Sequence, residues 1–410
     1  MIDPLLDELL DAVPAVLIVG PRATGKTTTA ERRATTVLRL GDRAQAIAVA
    51  SDVDAVLAAS EPPVLIDEWQ LVPDVLGAVK RAVDRGAAPG SFLLTGSSRA
   101  DLQAEGWPAM GRVVRVPLWG LTERERRGRV DAPSLVDALF RGIVTGVEDA
   151  ETPLDIRDYL ALALSSGFPE GGRIGSDRVR KVWLTSYADQ LVLRDTAFAG
   201  QERDPQRLRR YLRAIAANTA GVVNHKTLYD AAMVNRLTAA AYDGLLELLY
   251  VTEQVPAWTN AQLARLSQTS KRYLIEPALL VPLLNIDLCS ILRDGDLLGR
   301  IIDTFVMSQL RAECATADAA PAIYHLRRSD ARHEVDVVLE GPAGTVVGVE
   351  IKAASTVDAA DARHLAWLRD ELGERFINGV IFHTGKLRFQ LDERILALPI
   401  STIWQYSTGP

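Results

Sequence analysis

The stretch Val16-Leu-Ile-Val19-Gly20-Pro-Arg-Ala-Thr-Gly25-Lys26-Thr27 decides the reading of this chain. Four apolar residues run without polar interruption into a loop that spells GxxxxGK(S/T), and a helix-compatible stretch follows from Thr28, the strand-loop-helix setting that a phosphate-binding loop requires. The glycines let the backbone turn tightly, so that successive N–H groups face a β-phosphate, and the following helix offers the positive end of its dipole. Gly20, Pro21, Arg22, Ala23, Thr24, Gly25, Lys26, Thr27 and Thr28 are therefore the expected nucleotide contacts, with Lys26 on the β- and γ-phosphate oxygens and Thr27 on Mg2+.

A phosphate loop needs an acid for the metal. Val64-Leu-Ile-Asp67-Glu68 supplies one at the end of an apolar run, 41 residues after Lys26; Asp67 is expected to hold Mg2+ through water and Glu68 to polarise the attacking water. Phe92-Leu-Leu94 runs into Thr95-Gly96-Ser97-Ser98, whose polar side chains are placed to sense a γ-phosphate. Together with residues 15–19, 46–50 and 113–116, these short apolar runs lack period-two alternation and are bounded by Gly, Pro and polar residues. They read as strands buried on both faces, hence an α/β domain with a P-loop NTPase parallel sheet over residues 1–150. Residues 151–297 change to Leu/Ala-rich stretches of period near 3.6, a helical middle domain. Within it, residues 224–255 have the rhythm of a winged helix whose reading helix, 238–250, offers Thr238, Tyr242, Asp243 and Glu247. Carboxylates there repel phosphate, and a packing role suits them better. The arginines of the stretch 207–213 read as a solvated or ion-paired face. Residues 298–410 close the chain as a small α/β domain: a helix over 301–314, strands over 323–326, 334–339 and 346–351, a helix over 359–372 and a strand over 379–383.

With 410 residues the chain is long enough for two or three domains, each with its own core. Hydrophobic residues at 48% and charged ones at 24% exclude wholesale disorder, and a net charge of -7 excludes a polycation that holds nucleic acid by bulk charge. Cys289 and Cys314 have no metal-type spacing and argue for a reducing compartment. Asp3, Asp7, Glu8 and Asp11 stand where a secretory signal would be basic, and no window of 18 uncharged apolar residues occurs. The expected location is the cytoplasm, without a membrane partner. The five histidines show no HxxxH or HExxH spacing, so a zinc site finds no support.

Ile66-Asp-Glu-Trp-Gln70, Leu94-Thr-Gly-Ser-Ser98, Gly111-Arg112, Leu118-Trp-Gly-Leu-Thr122 with Glu125, Gly167-Phe-Pro-Glu170, Lys271-Arg-Tyr273, Asp303-Thr-Phe-Val306, and Glu334-Val-Asp336 with Val349-Glu-Ile-Lys352 follow in that order. In order and spacing they resemble a family of prokaryotic AAA-type P-loop ATPases whose C-terminal half is a domain of unknown function. Gly120, Glu276 and Asp303 stand where that family usually has Pro, Asp and Glu. The resemblance implies an arginine that completes the site in cis or from a neighbouring subunit; Arg112, after a glycine at the head of a strand, is the first candidate and Arg99 the second. In the last domain, Asp336 ends one strand and Glu350-Ile-Lys352 ends the next across a turn at 341–344, which resembles the D…(D/E)xK core of restriction-endonuclease-like nucleases. Asp336, Glu350, Lys352 and the additional acid Asp303 are thus a candidate second site, in which that resemblance implies a metal between carboxylates.

These readings lead to an ATP-binding protein, a slow Mg2+-dependent ATPase with ATP and Mg2+ as cofactors, whose nucleotide state controls the C-terminal half. Two alternatives stand beside it: an ATP-gated nuclease or binding protein with DNA as partner, and a non-hydrolysing regulator with a protein partner. A homo-oligomer is compatible with each.

Overall fold

The computed structural model describes residues 2–96, 111–142, 144, 153–198, 204–260, 268–328 and 333–406. The chain forms two compact units, Met1–Gly120 with Leu248–Val251, and Leu121–Glu247 with Thr252–Pro410.

The first unit is built on five strands: β1 (Ala15–Val19), β2 (Thr36–Arg39), β3 (Val64–Asp67), β4 (Phe92–Gly96) and β5 (Val114–Pro117). Their order is β2-β3-β4-β1-β5 and every pair is parallel. β1 and β4 are buried at every position, which is why their sequences carry no alternation. The amphipathic helix Ile2–Ala12 places Ile2 and Leu6 against Val16, Ile18, Leu65, Leu93 and Val116. Each such side chain contributes about 1.5–3 kcal/mol by leaving water. Because the strands run in one direction, the loop after β1, Asp67 at the end of β3 and Gly96 at the end of β4 all emerge at one edge of the sheet.

One expected strand is wrong. Residues 46–50 lie in the helix Arg43–Ser51, whose start is capped by the Asp42 carboxylate accepting the Ala44 N–H at 2.8 Å. Alanine favours helix, and the cap at Asp42, four residues before the run, decides the matter. The fifth strand is instead β2, which among the described residues pairs with β3 alone and is partly exposed, so its sequence Thr-Val-Leu-Arg carries no apolar run.

The second unit begins with the short helices Glu123–Arg126 and Leu135–Phe140, and the helices Ile156–Leu164, Pro169–Arg173, Asp177–Phe198, Pro205–Ala217, His225–Ala231 and Arg236–Leu248 follow. An antiparallel hairpin follows, β6 (Thr252–Val255) with β7 (Lys271–Leu274). The long helix Gly295–Thr316, buried along most of its length, then leads into a six-stranded sheet. Its strands are β8 (Ala322–Arg327), β9 (Glu334–Glu340), β10 (Val346–Lys352), β11 (Phe376–His383), β12 (Phe389–Asp392) and β13 (Ile395–Pro399), in the order β12-β13-β11-β10-β9-β8. β10, β11 and β13 are mutually parallel, and β8, β9 and β12 join antiparallel. Val335, Val338, Val346, Phe376, Ile381 and Ile395 form its core with Leu365 and Leu368 of the helix Arg363–Leu372. Asp336 is the third residue of β9 and not its last, because β9 runs on to Glu340.

Candidate functional site

The loop after β1 keeps the conformation that its letters require. Gly20 has φ +147°, Ala23 +61° and Gly25 +92°, three left-handed turns within six residues. A Cβ on Gly20 would lie 2.1 Å from the Leu118 carbonyl oxygen, so only glycine fits where the loop leaves the sheet. The Thr24 hydroxyl donates to the Pro21 carbonyl at 2.9 Å and closes the loop on itself. Lys26 opens the helix Lys26–Glu31 and is 7% exposed. Its ammonium folds back to donate to the carbonyls of Gly20 at 3.1 Å and Pro21 at 2.6 Å. Burial lowers its pKa to about 8, against the opposing pull of Glu68. A cation this poorly compensated is primed for an anion in the loop.

The acid expected across the sheet is in place. Asp67 Oδ1 accepts the Thr27 hydroxyl at 2.7 Å and the Thr95 hydroxyl at 2.5 Å, joining the phosphate loop, β3 and β4 at one oxygen. The donor set here, a threonine hydroxyl and a carboxylate, is all hard oxygen and suits Mg2+. Glu68 follows in the left-handed region, φ +56°, where the chain passes from β3 into the short helix Trp69–Leu71, a conformation that costs a glutamate about 1 kcal/mol or more. The Gln70 amide donates to the Glu68 carboxylate. A Cβ on Gly96 would fall 2.7 Å from Trp69 Nε1 and 2.9 Å from Gln70 Oε1, so the ends of β3 and β4 close on each other only through that glycine. Gln70 and Thr95 hold the two acids; the sequence offered Thr95 as a γ-phosphate sensor and Gln70 only within the stretch Ile66–Gln70, and neither as a partner of Asp67 or Glu68. Ser97, Ser98 and Arg99 lie outside the described residues.

Arg112 is not part of this edge. The parallel register pairs Val16 with Val114 and Val19 with Pro117. Arg112 therefore sits where the strands begin, roughly 15–20 Å along the strand direction from the level of the loop. Its guanidinium pairs with Asp84 at 2.9 Å. A role in cis is thereby corrected.

In the second unit the antiparallel register pairs Val337 with Val349, which sets Asp336 across from Glu350. Alternation brings Lys352 to the same face, 3.4 Å from Glu350. Asp303 joins them from the helix Gly295–Thr316, but through a residue that the motif did not include: Lys271 of β7 donates to Asp303 at 2.7 Å and to Asp336 at 3.0 Å. Burial alone would pull the Lys271 ammonium down, yet the two carboxylates outweigh it and hold it well above its usual value. Burial pushes Asp303 up to about 6, while Lys271 holds Asp336 below the usual range despite its burial. Burial and the charge of Asp336 keep Glu350 well above the carboxylate range. The sequence reading carried Lys271 only within the stretch Lys271-Arg-Tyr273; two cations in a four-residue strand that is buried throughout are the signal that could have marked it.

The helix-turn-helix-hairpin rhythm of the middle is present, but two of the expected groove-reading side chains face inward. Tyr242 and Asp243 are buried, and Asp243 accepts both Arg272 guanidinium nitrogens, at 2.7 and 2.9 Å, and the Tyr211 hydroxyl at 2.8 Å. Among the arginines of 207–213, Arg207 pairs with Asp204 at 3.2 Å and Arg209 with Asp189.

Comparison with known proteins divides the chain in three. Residues 12–126 match the family model described as AAA domain, residues 156–290 the Domain of unknown function (DUF8612), and residues 298–403 the Domain of unknown function (DUF4143). The chain thus joins an AAA-type P-loop domain to a C-terminal domain of unknown function, as its sequence led one to expect. An uncharacterized protein of Mycobacterium tuberculosis is 27% identical over 402 residues, 97% of this chain and 82% of that protein, and an uncharacterized protein of Mycobacterium bovis shows the same figures. Among solved structures, a Walker-type ATPase of Pyrococcus abyssi aligns with TM-score 0.44 and 14% identity over 69% of this chain and 94% of that one. Among the described residues, no helix is long and apolar enough to cross a membrane.

Proposed function

We propose that the chain binds Mg-ATP in the loop Gly20–Thr28 and hydrolyses it slowly. The observation that carries this reading is the convergence of the Thr27 hydroxyl on Asp67 Oδ1 at 2.7 Å beside a buried lysine in a left-handed glycine loop. Lys26 would turn from the loop carbonyls to the β- and γ-phosphates, and Thr27 and Asp67 would hold Mg2+. The bound metal would neutralise charge on the phosphate oxygens. Glu68 would accept a proton from the attacking water; its tie to the Gln70 amide supports slow turnover, since that bond competes with the water for the same carboxylate.

The wider reading is that residues 1–150 form the nucleotide domain, 151–297 a helical transmitter and 298–410 a responding module in a cytoplasmic protein. The Arg112 guanidinium then belongs to a contact with a second copy, because it lies at the edge of the sheet opposite its own loop. Isothermal titration of the nucleotide-free protein with ATP and Mg2+ tests the core of this reading. Binding that disappears in Lys26→Ala is expected, and unchanged affinity in that variant would sink it. Metal-dependent release of phosphate, lost in Glu68→Gln while binding persists, separates the ATPase from a non-hydrolysing regulator.

A further inference from the structure

The cluster around Asp303 and Asp336 is a cation site by its donors, yet each carboxylate oxygen of these two aspartates already has an internal partner. Asp303 Oδ1 accepts the Tyr273 hydroxyl at 2.9 Å and its Oδ2 the Lys271 ammonium at 2.7 Å. Asp336 Oδ1 accepts the same ammonium at 3.0 Å and its Oδ2 the Ile351 backbone N–H at 3.0 Å. Lys271 is 3% exposed and Tyr273 fully buried. The third carboxylate, Glu350, is 4% exposed, leans on Lys352 through one oxygen at 3.4 Å, and leaves Oε1 with no partner among the described residues. An acid pair with an orphaned third carboxylate beside it has the composition of a divalent-metal site. A metal would have to expel the Lys271 ammonium and strip two further donors, so the residues as folded do not fit one.

We propose that Lys271 is the resident cation of this cluster: a side chain sent from the β6–β7 hairpin fills the place between Asp303 and Asp336 that a divalent ion would otherwise take. The C-terminal module is then assembled by an internal ammonium and not by a metal, and the hairpin, the long helix and β9 meet at one charge. An ammonium accepts this place because its three N–H donors can serve Asp303, Asp336 and the Asp336 carbonyl, the last at 3.4 Å. The inference is independent of the nucleotide reading, since no residue of the phosphate loop takes part.

The test counts manganese. Replacing Lys271 by methionine keeps the length of the stem and leaves two buried carboxylates without their cation, which a divalent ion neutralises. Nucleotide-free full-length protein is titrated with Mn2+ and free ion is read by electron paramagnetic resonance. Lys271→Met is expected to hold one Mn2+ more than the parent, and the double variant Lys271→Met/Asp336→Asn to lose that ion again. Binding at the phosphate loop is common to all three proteins and drops out of the comparison. A parent that already holds an ion removed by Asp336→Asn, or a folded Lys271→Met that gains none, overturns the proposal. Should Lys271→Met unfold without metal, refolding on addition of Mn2+ supports the proposal. If it stays unfolded, Lys271→Gln, whose amide keeps one hydrogen bond to the acids, is counted in the same way and decides.

Discussion

Replacing Lys26 by methionine should stabilise the protein at neutral pH and destabilise it at alkaline pH. The ammonium is almost completely buried and its pKa is lowered from 10.5 to about 8, chiefly by burial. At pH 7 the charge costs about 3 kcal/mol relative to the unfolded chain, where the same lysine is solvated. Methionine removes that cost and fills a similar volume, but leaves the Gly20 and Pro21 carbonyls without a donor, a loss of about 1 kcal/mol each. The net gain at pH 7 is about 1 kcal/mol. For the sign at higher pH, the folded pKa lies below the unfolded one, so between 8 and 10.5 the unfolded chain binds more protons and stability rises with pH. The parent therefore gains about 2.5 kcal/mol over the variant between pH 7 and 10, and the order of stabilities reverses. Equilibrium urea unfolding of both proteins at pH 7, 8.5 and 10 reads the effect, and every other titrating group cancels in the difference. An unchanged difference across that range would refute the argument, because it would mean that the lysine is not desolvated in the free loop.

Three further outcomes follow from the geometry. Glu68→Gln should bind Mg-ATP as the parent does and release phosphate at least about 100-fold more slowly, measured by single-turnover hydrolysis; equal rates would move the proton acceptor elsewhere. Gly20→Ala should cost about 3 kcal/mol or more in a urea midpoint, because its Cβ would meet the Leu118 carbonyl at 2.1 Å in a left-handed loop where neither strand can retreat. In the second unit, Glu276 accepts the backbone N–H groups of Gly167 at 2.9 Å and Ala278 at 3.1 Å, and burial raises it to about 7. A raised carboxyl stabilises fully below its unfolded pKa of 4.5 and loses that contribution as pH climbs through 7. Glu276→Gln should therefore gain about 3 kcal/mol on the parent between pH 4.5 and 8, and a pH-independent difference would show that Glu276 is not desolvated.

What was legible in the sequence was whatever a backbone conformation writes into residue types. Gly20, Gly25 and Lys26 could be read because a left-handed loop and a buried ammonium leave few alternatives, and Asp67 because it ends a strand whose other three residues are buried. Four strands of the six-stranded C-terminal sheet, β8 to β11, were legible, β9 and β10 most plainly by their valine runs. β12 and β13 were missed, because β12 is a largely exposed edge strand that ends in Asp392 and the charged turn Glu393-Arg394 cuts β13 to five residues. The run 46–50 misled for the converse reason, since an alanine-rich segment is apolar without preferring a strand. Long-range partners were invisible on principle. Nothing near Lys271 in the chain says that its ammonium meets Asp303 and Asp336, 32 and 65 residues away.

The same blindness conceals the buried charge that ties the second unit together. Glu123-Arg-Glu-Arg126 looks like a solvated surface turn, and its capping box with Thr122 would suit one. Yet Arg124 is 2% exposed, pairs with the equally buried Glu313 at 2.7 Å, and donates to the carbonyls of Ala132, Pro133 and Ile403. Gln309 accepts the Glu123 N–H at 2.8 Å, and Arg126 bonds Ser165 and the Ser166 carbonyl. Apolar contacts would hold these elements together as firmly, since a buried ion pair gains little net stability. What such pairs add is intolerance of misalignment: moving the helix Gly295–Thr316 by one residue would strand Glu313 and Asp303 together, each without its cation, at a cost of about 3–5 kcal/mol apiece. Arg124 and Lys271 thus clamp that helix at two points ten residues apart, Glu313 and Asp303.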